Sequence, residues 1–159
     1  MTPLPARAPR PGPSARPAPT APHSDAPARP TADGGYARAD LAPGPDAEAR
    51  ARHITRDALA RWDLARHADH AEAIAAYLTA TAAAAACPPP PGRPAIILAI
   101  DHQPPCLRIT LWDNGPPQPP PVQTGRHAPH DAGWWPTPRS GGKVTWAAIR
   151  APRTQKDAR

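Results

Sequence analysis

Apolar residues recur along this chain with two different periods. Ile54, Ala58, Leu59 and Trp62 return every three or four positions and form one face of a helix opening at Pro45-Asp46. Asp46 is placed as its N-cap, and Glu48 in the first turn complements the helix dipole. Ile74, Leu78 and a series of alanines predict a second helix over 69–86, with Asp69 as cap and Glu72 three residues on, the capping-box spacing. Cys87 and the prolines 88–91 end it.

Beyond the prolines the period drops to two. Residues 95–100 form a continuous apolar strand, 101–105 a turn, and 106–112 a returning strand in which Ile109 and Leu111 alternate with polar neighbours. Such a pair reads as a hairpin. Residues 116–133, rich in Pro, His and Gly, read as loop, 134–142 as a further turn, and 143–149 as a last strand. Helix, helix, strand, strand, loop, strand predicts an α+β fold: a small antiparallel sheet with helices packed on one face.

Composition sets the limits of that domain. Of the 28 prolines, 12 fall in residues 1–45, which cannot bury enough apolar surface to offset ordering entropy. The expected organisation is a disordered Pro/Ala-rich tail over 1–45, one domain over 46–150 and a basic tail over 151–159. Within the first tail, Pro-Ala-Pro-Thr-Ala-Pro at 17–22 has the polyproline II character that docks on aromatic grooves. Phe is absent, so the five Trp together with Ile, Leu and Val must form the core.

The net charge of +6 is spread evenly along the chain, without the clustered basic face of a nucleic-acid binder. No stretch of about 18 apolar residues exists to span a membrane, and no apolar signal segment follows Met1. Cys87 and Cys106 lie apart from any ligand set and read as reduced thiols, giving a cytoplasmic expectation. The histidine pairs His67/His70 and His127/His130 lack a carboxylate or thiol at fixed spacing to complete a metal site.

One stretch stands out chemically. Ile109–Pro117 is a strand running into an abrupt turn, with Asp113 at the strand's end and Asn114-Gly115 following. A carboxylate held there can present one acceptor to a ligand, and Gly115 can let a flat ligand approach the backbone. The same three residues also suit an ordinary turn.

The motifs A-R-x-I-T-R-D-A-L-A-R-W, W-D-N-G-P-P and G-W-W-P-T-P-x-x-G-G-K-V-T-W-A, in this order, resemble the small ATP-binding proteins of the GHKL superfamily, in particular the anti-sigma-factor serine kinases. The resemblance covers about Glu48 to Ile149. It implies a two-layer sandwich of that type, with Asp113, Asn114 and Gly115 at the adenine amino group and Thr145 beside them. On the second helix it aligns Tyr77 with the family's general-base Glu and Thr81 with its magnesium-ligating Asn.

Neither replacement serves. Tyr77 has an ordinary pKa of about 10 and is no base near neutral pH, and a Thr hydroxyl is a poor substitute for an amide oxygen on Mg2+. The family's Arg-His pair is Ala84 and Ala85 here, and of its glycine-rich phosphate lid only Gly125-Arg126 remains within 124–133. The resemblance therefore implies a degenerate regulator with no catalytic residue. ATP is bound weakly or not at all, and Mg2+ lacks its ligand. The implied partner is a protein such as a sigma factor or an anti-sigma antagonist, or a second copy in a homodimer. The alternatives are an active ATP-dependent serine/threonine kinase and a Pro-rich interaction protein without a nucleotide site.

Overall fold

The computed structural model describes residues 34–89, 91–119, 123–137 and 141–152. The elements are β1 (Gly35–Leu41), α1 (Ala47–Arg61), a single 3-10 turn at Ala65–His67, α2 (Ala68–Ala84), β2 (Ile96–Gln103), β3 (Cys106–Asp113), β4 (Asp131–Thr137) and β5 (Gly142–Arg150). The strands form one antiparallel sheet in the order β1-β2-β3-β5-β4. Both helices pack on the same side of it. The α+β architecture with helices on one face is the one that the two periods predict.

The register sorts the side chains. Leu98, Leu111 and Thr145 stand in one cross-strand row, and Ile100, Ile109 and Ala147 in the next. These rows face the helices, and Ile96, Leu98, Ile100, Leu107, Ile109 and Leu111 are at most 1% exposed. At about 1.5–3 kcal/mol for each buried aliphatic side chain, this layer outweighs the surface ion pairs Arg52–Glu48 and Arg38–Asp40, which contribute up to about 1 kcal/mol each. The helices meet it through small residues: Ala51, Thr55, Ala58 and Leu59 of α1, and Ala71, Ala75, Leu78 and Ala82 of α2. Ala58 and Leu59 are fully buried as the helical spacing predicts, while Ile54 and Trp62 cover the rim of the core.

Three details depart from the sequence reading. Gly35–Leu41, placed within the N-terminal tail, is an edge strand. Its alternation is weak because Ala37 and Ala39 are its inward residues between Gly35 and Leu41, so composition masks a period of two. Asp131–Thr137, read as the end of a loop and the start of a turn, is the other edge strand, where Pro136 is tolerated. The turn between β2 and β3 contracts from five residues to Pro104-Pro105, because His102 and Gln103 still pair with Leu107 and Cys106. The continuous apolar run 95–100 divides between the two faces: Ile97 and Ala99 point away from the helices, the first half-buried and the second buried.

The predicted caps also change role. Asp46 precedes α1 without a side-chain cap bond, and His67, not Asp69, occupies the N-cap of α2. Glu72 is buried and accepts two hydrogen bonds from Arg56, Nε to Oε1 at 2.8 Å and Nη2 to Oε2 at 2.6 Å. Arg56 therefore ties α1 to α2. The bond to Glu72 and its charge hold the Arg56 guanidinium above its usual pKa. Both cysteines are free, and burial pushes the Cys106 thiol up.

Gly142 starts β5 where that strand passes the end of β3. A Cβ there would lie 2.0 Å from the Asp113 carbonyl oxygen and 2.9 Å from the Asn114 Cα. Backbone cannot yield as a side-chain tip can. Gly142→Ala is expected to destabilise the chain by about 1–3 kcal/mol, measured as a lowered urea midpoint with an unchanged slope.

Candidate functional site

Asp113 closes β3 on the helix side of the sheet, in the row Leu41, Ile96, Asp113, Lys143. Its side chain is 1% exposed, and that of Lys143 is 5% exposed. The Lys143 ammonium donates to Asp113 Oδ1 at 3.0 Å and to the Pro116 carbonyl at 3.3 Å. The Gly115 N–H donates to the same Oδ1 at 2.8 Å. The turn is thus an Asx turn locked by a cross-strand ion pair. Asp113 Oδ2 is buried and has no hydrogen-bond partner, as is Asn114 Oδ1.

The C-terminal end of α2 abuts this turn. Asn114 Nδ2 donates to the Cys87 carbonyl. A Cβ on Gly115 would lie 2.8 Å from the Ala85 carbonyl, 2.8 Å from Asp113 Oδ1 and 3.2 Å from Lys143 Nζ. The space that glycine frees is therefore occupied by the chain's own backbone and by the ion pair.

The other sequence-derived candidates are partly gathered here. Thr145 is buried one row from the ion pair, between Leu111 and Trp134, on the same face as Lys143. Thr81 lies one turn before Ala85, and its hydroxyl donates to the Tyr77 carbonyl at 2.9 Å, a bond within its own helix. Tyr77 packs half-buried against the core. The residue that sequence reasoning missed is Lys143. One of two lysines opens an apolar strand, but nothing in its spacing pairs that strand with the one ending at Asp113.

The stretch 124–133 goes elsewhere. Gly125, with φ +89°, turns the chain so that Ala128 N–H meets the Gly125 carbonyl. His70 Nε2 lies 3.2 Å from the Ala128 carbonyl, and the His127 ring lies 5.8 Å from that of His70. Between this loop and the helices opens a cleft of about 320 Å³ lined by Arg52, Asp69, Glu72, Ala73, Arg126 and His127. Its cations face carboxylates, and Glu72 is already held by Arg56. Ala73 and Ala85 are twelve residues apart on α2, so the cleft and the Asp113 turn are separated by about 18 Å along the helix. Among the described residues no cluster of His, Cys, Asp or Glu is arranged to hold a metal ion, and no helix is long and apolar enough to cross a membrane.

No family model matches the chain. No curated protein matches it either. The assignment of the turn's role therefore rests on its own geometry.

That geometry makes a strong energetic statement. Removing one member of a buried pair leaves an uncompensated charge, which costs about 3–5 kcal/mol, whereas removing both charges is close to neutral. Lys143→Met is expected to lower stability by about that amount. Asp113→Asn in the Lys143→Met background should recover most of the loss, because the amide oxygen still accepts the Gly115 N–H. Chemical denaturation of the single and double variants measures the coupling, and additive losses would mean that the pair is not an energetic unit.

Proposed function

We propose that this chain is a non-catalytic regulatory protein of the anti-sigma-factor type, which acts by binding another protein. The observation that carries the reading is the Lys143 ammonium 3.0 Å from Asp113 Oδ1, both side chains buried. In the resemblance, Asp113 serves a purine. In this chain its charge is already compensated, and Gly115 is closed against Ala85. Phosphoryl transfer depends on a metal and on positioned donors. Tyr77 and Thr81 supply neither a base nor an amide oxygen, and the arginine of the 124–133 stretch lines a cleft about 18 Å away along α2. What remains is an α+β scaffold with a closed turn where the resemblance would put a ligand. The proposed partner is a sigma factor or an anti-sigma antagonist.

One observation favours a second reading. Asp113 Oδ2 is a buried acceptor without a partner, and an unmet buried acceptor costs about 1–3 kcal/mol. The exocyclic amine of a purine is a donor of the required kind. On this reading the chain binds ATP weakly through Asp113, with Asn114, Gly115 and Thr145 around it, and still does not transfer phosphate.

Calorimetric titration with ATP and Mg2+ separates the two. The first reading expects no saturable heat and no phosphate transfer to an anti-sigma-antagonist substrate, together with saturable binding of the immobilised chain to a purified sigma factor or antagonist. Saturable ATP binding abolished by Asp113→Asn would establish the second. Phosphorylation of the substrate would overturn both.

A further inference from the structure

The face of the sheet turned away from the helices carries an unexpected amount of aromatic surface. One cross-strand row runs Asp40, Ile97, Trp112, Val144, Trp135 through all five strands. Trp135 is 39% exposed, and Ile97 and Trp112 are half-buried. In the next row Trp146 lies against Gly133, where a Cβ would come within 2.8 Å of its indole nitrogen, and Arg108 stacks over the Trp146 ring at 5.1 Å. Three indoles thus stand on adjacent rows with no described helix or strand packed on them. A chain with five Trp and no Phe has spent three of its Trp outside the core.

The chemistry of this face selects its ligand. Arg38, Arg108 and Arg150 are matched by Asp40, Asp101 and Asp131 on the same side, so the surface is no track for a phosphate backbone. Neighbouring half-buried and exposed indoles are the kind of aromatic surface that receives polyproline II segments, whose backbone is preformed and loses little entropy on docking. The chain carries such a segment. Residues 1–33 contain ten prolines, and Pro17-Ala18-Pro19-Thr20-Ala21-Pro22 is flanked by Arg16. These residues lead directly into β1, whose Tyr36 stands on the same face as the indoles.

The dimensions agree. From β2 to β4 the apolar row spans three strand spacings, about 14 Å. Six residues in polyproline II span about 19 Å. The residues between Pro22 and Gly35 reach up to about 40 Å when extended, ample to return the segment across a strand of the length of β1. We propose that the open sheet face is a polyproline II docking surface and that its occupant is this chain's own segment Pro17–Pro22. This stands apart from the state of the Asp113 turn, which lies on the opposite face.

The test uses the full chain and a variant carrying Pro17→Ser, Pro19→Ser and Pro22→Ser, changes outside the sheet. A synthetic peptide of residues 13–24 is titrated into each, followed by Trp fluorescence and by the indole N–H signals in NMR. The peptide should bind the triple variant saturably, shifting the indoles of Trp112, Trp135 and Trp146 but not that of Trp62. It should bind the unaltered chain at least about tenfold more weakly, because a tethered segment competes at millimolar effective concentration. Trp135→Ala in the triple variant should weaken the peptide a further tenfold or more, with the thermal midpoint retained. Equal affinity for both chains would overturn the proposal and leave the face to an external ligand. Absence of binding to the triple variant would also overturn it. So would a solution mass of two chains that falls to one on Trp135→Ala, which would assign the face to a second copy.

Discussion

Among the described residues both helices cover the same side of the sheet, and that constraint organises the rest. Side chains on a strand alternate between faces with a period of two, so each strand sends half its residues to the helices and half away. The helix side receives Ile96, Leu98, Ile100, Leu107, Ile109 and Leu111, which are almost wholly buried. The other side receives Arg38, Asp101, Arg108, Thr110 and three of the five Trp. A shift of one residue in any strand would exchange the two sets. The mixed character of the open face is thus tied to the register that makes the core.

The Asp113–Lys143 pair sits at the edge of that core and shows the same constraint acting on charge. Both residues fall on the helix side because their strand neighbours Leu111 and Thr145 do. Neither is open to water, since the C-terminal end of α2 abuts the turn at Ala85 and Asn114 binds the Cys87 carbonyl. Two charges placed in such a spot must satisfy one another or be lost. An aspartate at a strand's end would otherwise be free to meet a ligand. Here its neighbour across the sheet has claimed one oxygen and left the other unmet. The ion pair thus occupies the acceptor that the strand's end would otherwise offer to a ligand.

A similar trade appears between the helices. The alanines of α1 and α2 let the two backbones approach closely, which buries Thr55, Glu72 and Thr79 between them or against the sheet. Thr55 returns its hydroxyl to the Ala51 carbonyl, and Glu72 draws in Arg56. Small side chains give close packing at low entropic cost, yet they leave polar neighbours little room to reach solvent. Apolar burial holds the interface together, with the Arg56–Glu72 pair linking the two helices at its rim.

The amino-acid sequence by itself determined the class of this fold. Helical spacing in 46–86, the proline stop at 88–91 and the alternation of 106–112 are local properties, legible without knowledge of any long-range contact. The edge strands were not legible, because Gly35–Leu41 carries alanines where a readable strand carries branched residues, and Asp131–Thr137 carries a proline and a glycine. Their pairing is decided by the neighbouring strands β2 and β5, which offer unpaired backbone groups. The sequence marked Asp113 as chemically distinctive but could not say what would face it. That depended on strand order: β5 inserts between β3 and β4, bringing Lys143 thirty positions along the chain to within hydrogen-bonding distance of the carboxylate. Spacing along a chain carries no information about which strand becomes a neighbour, so only the tertiary structure decided whether that aspartate would face a ligand or a lysine.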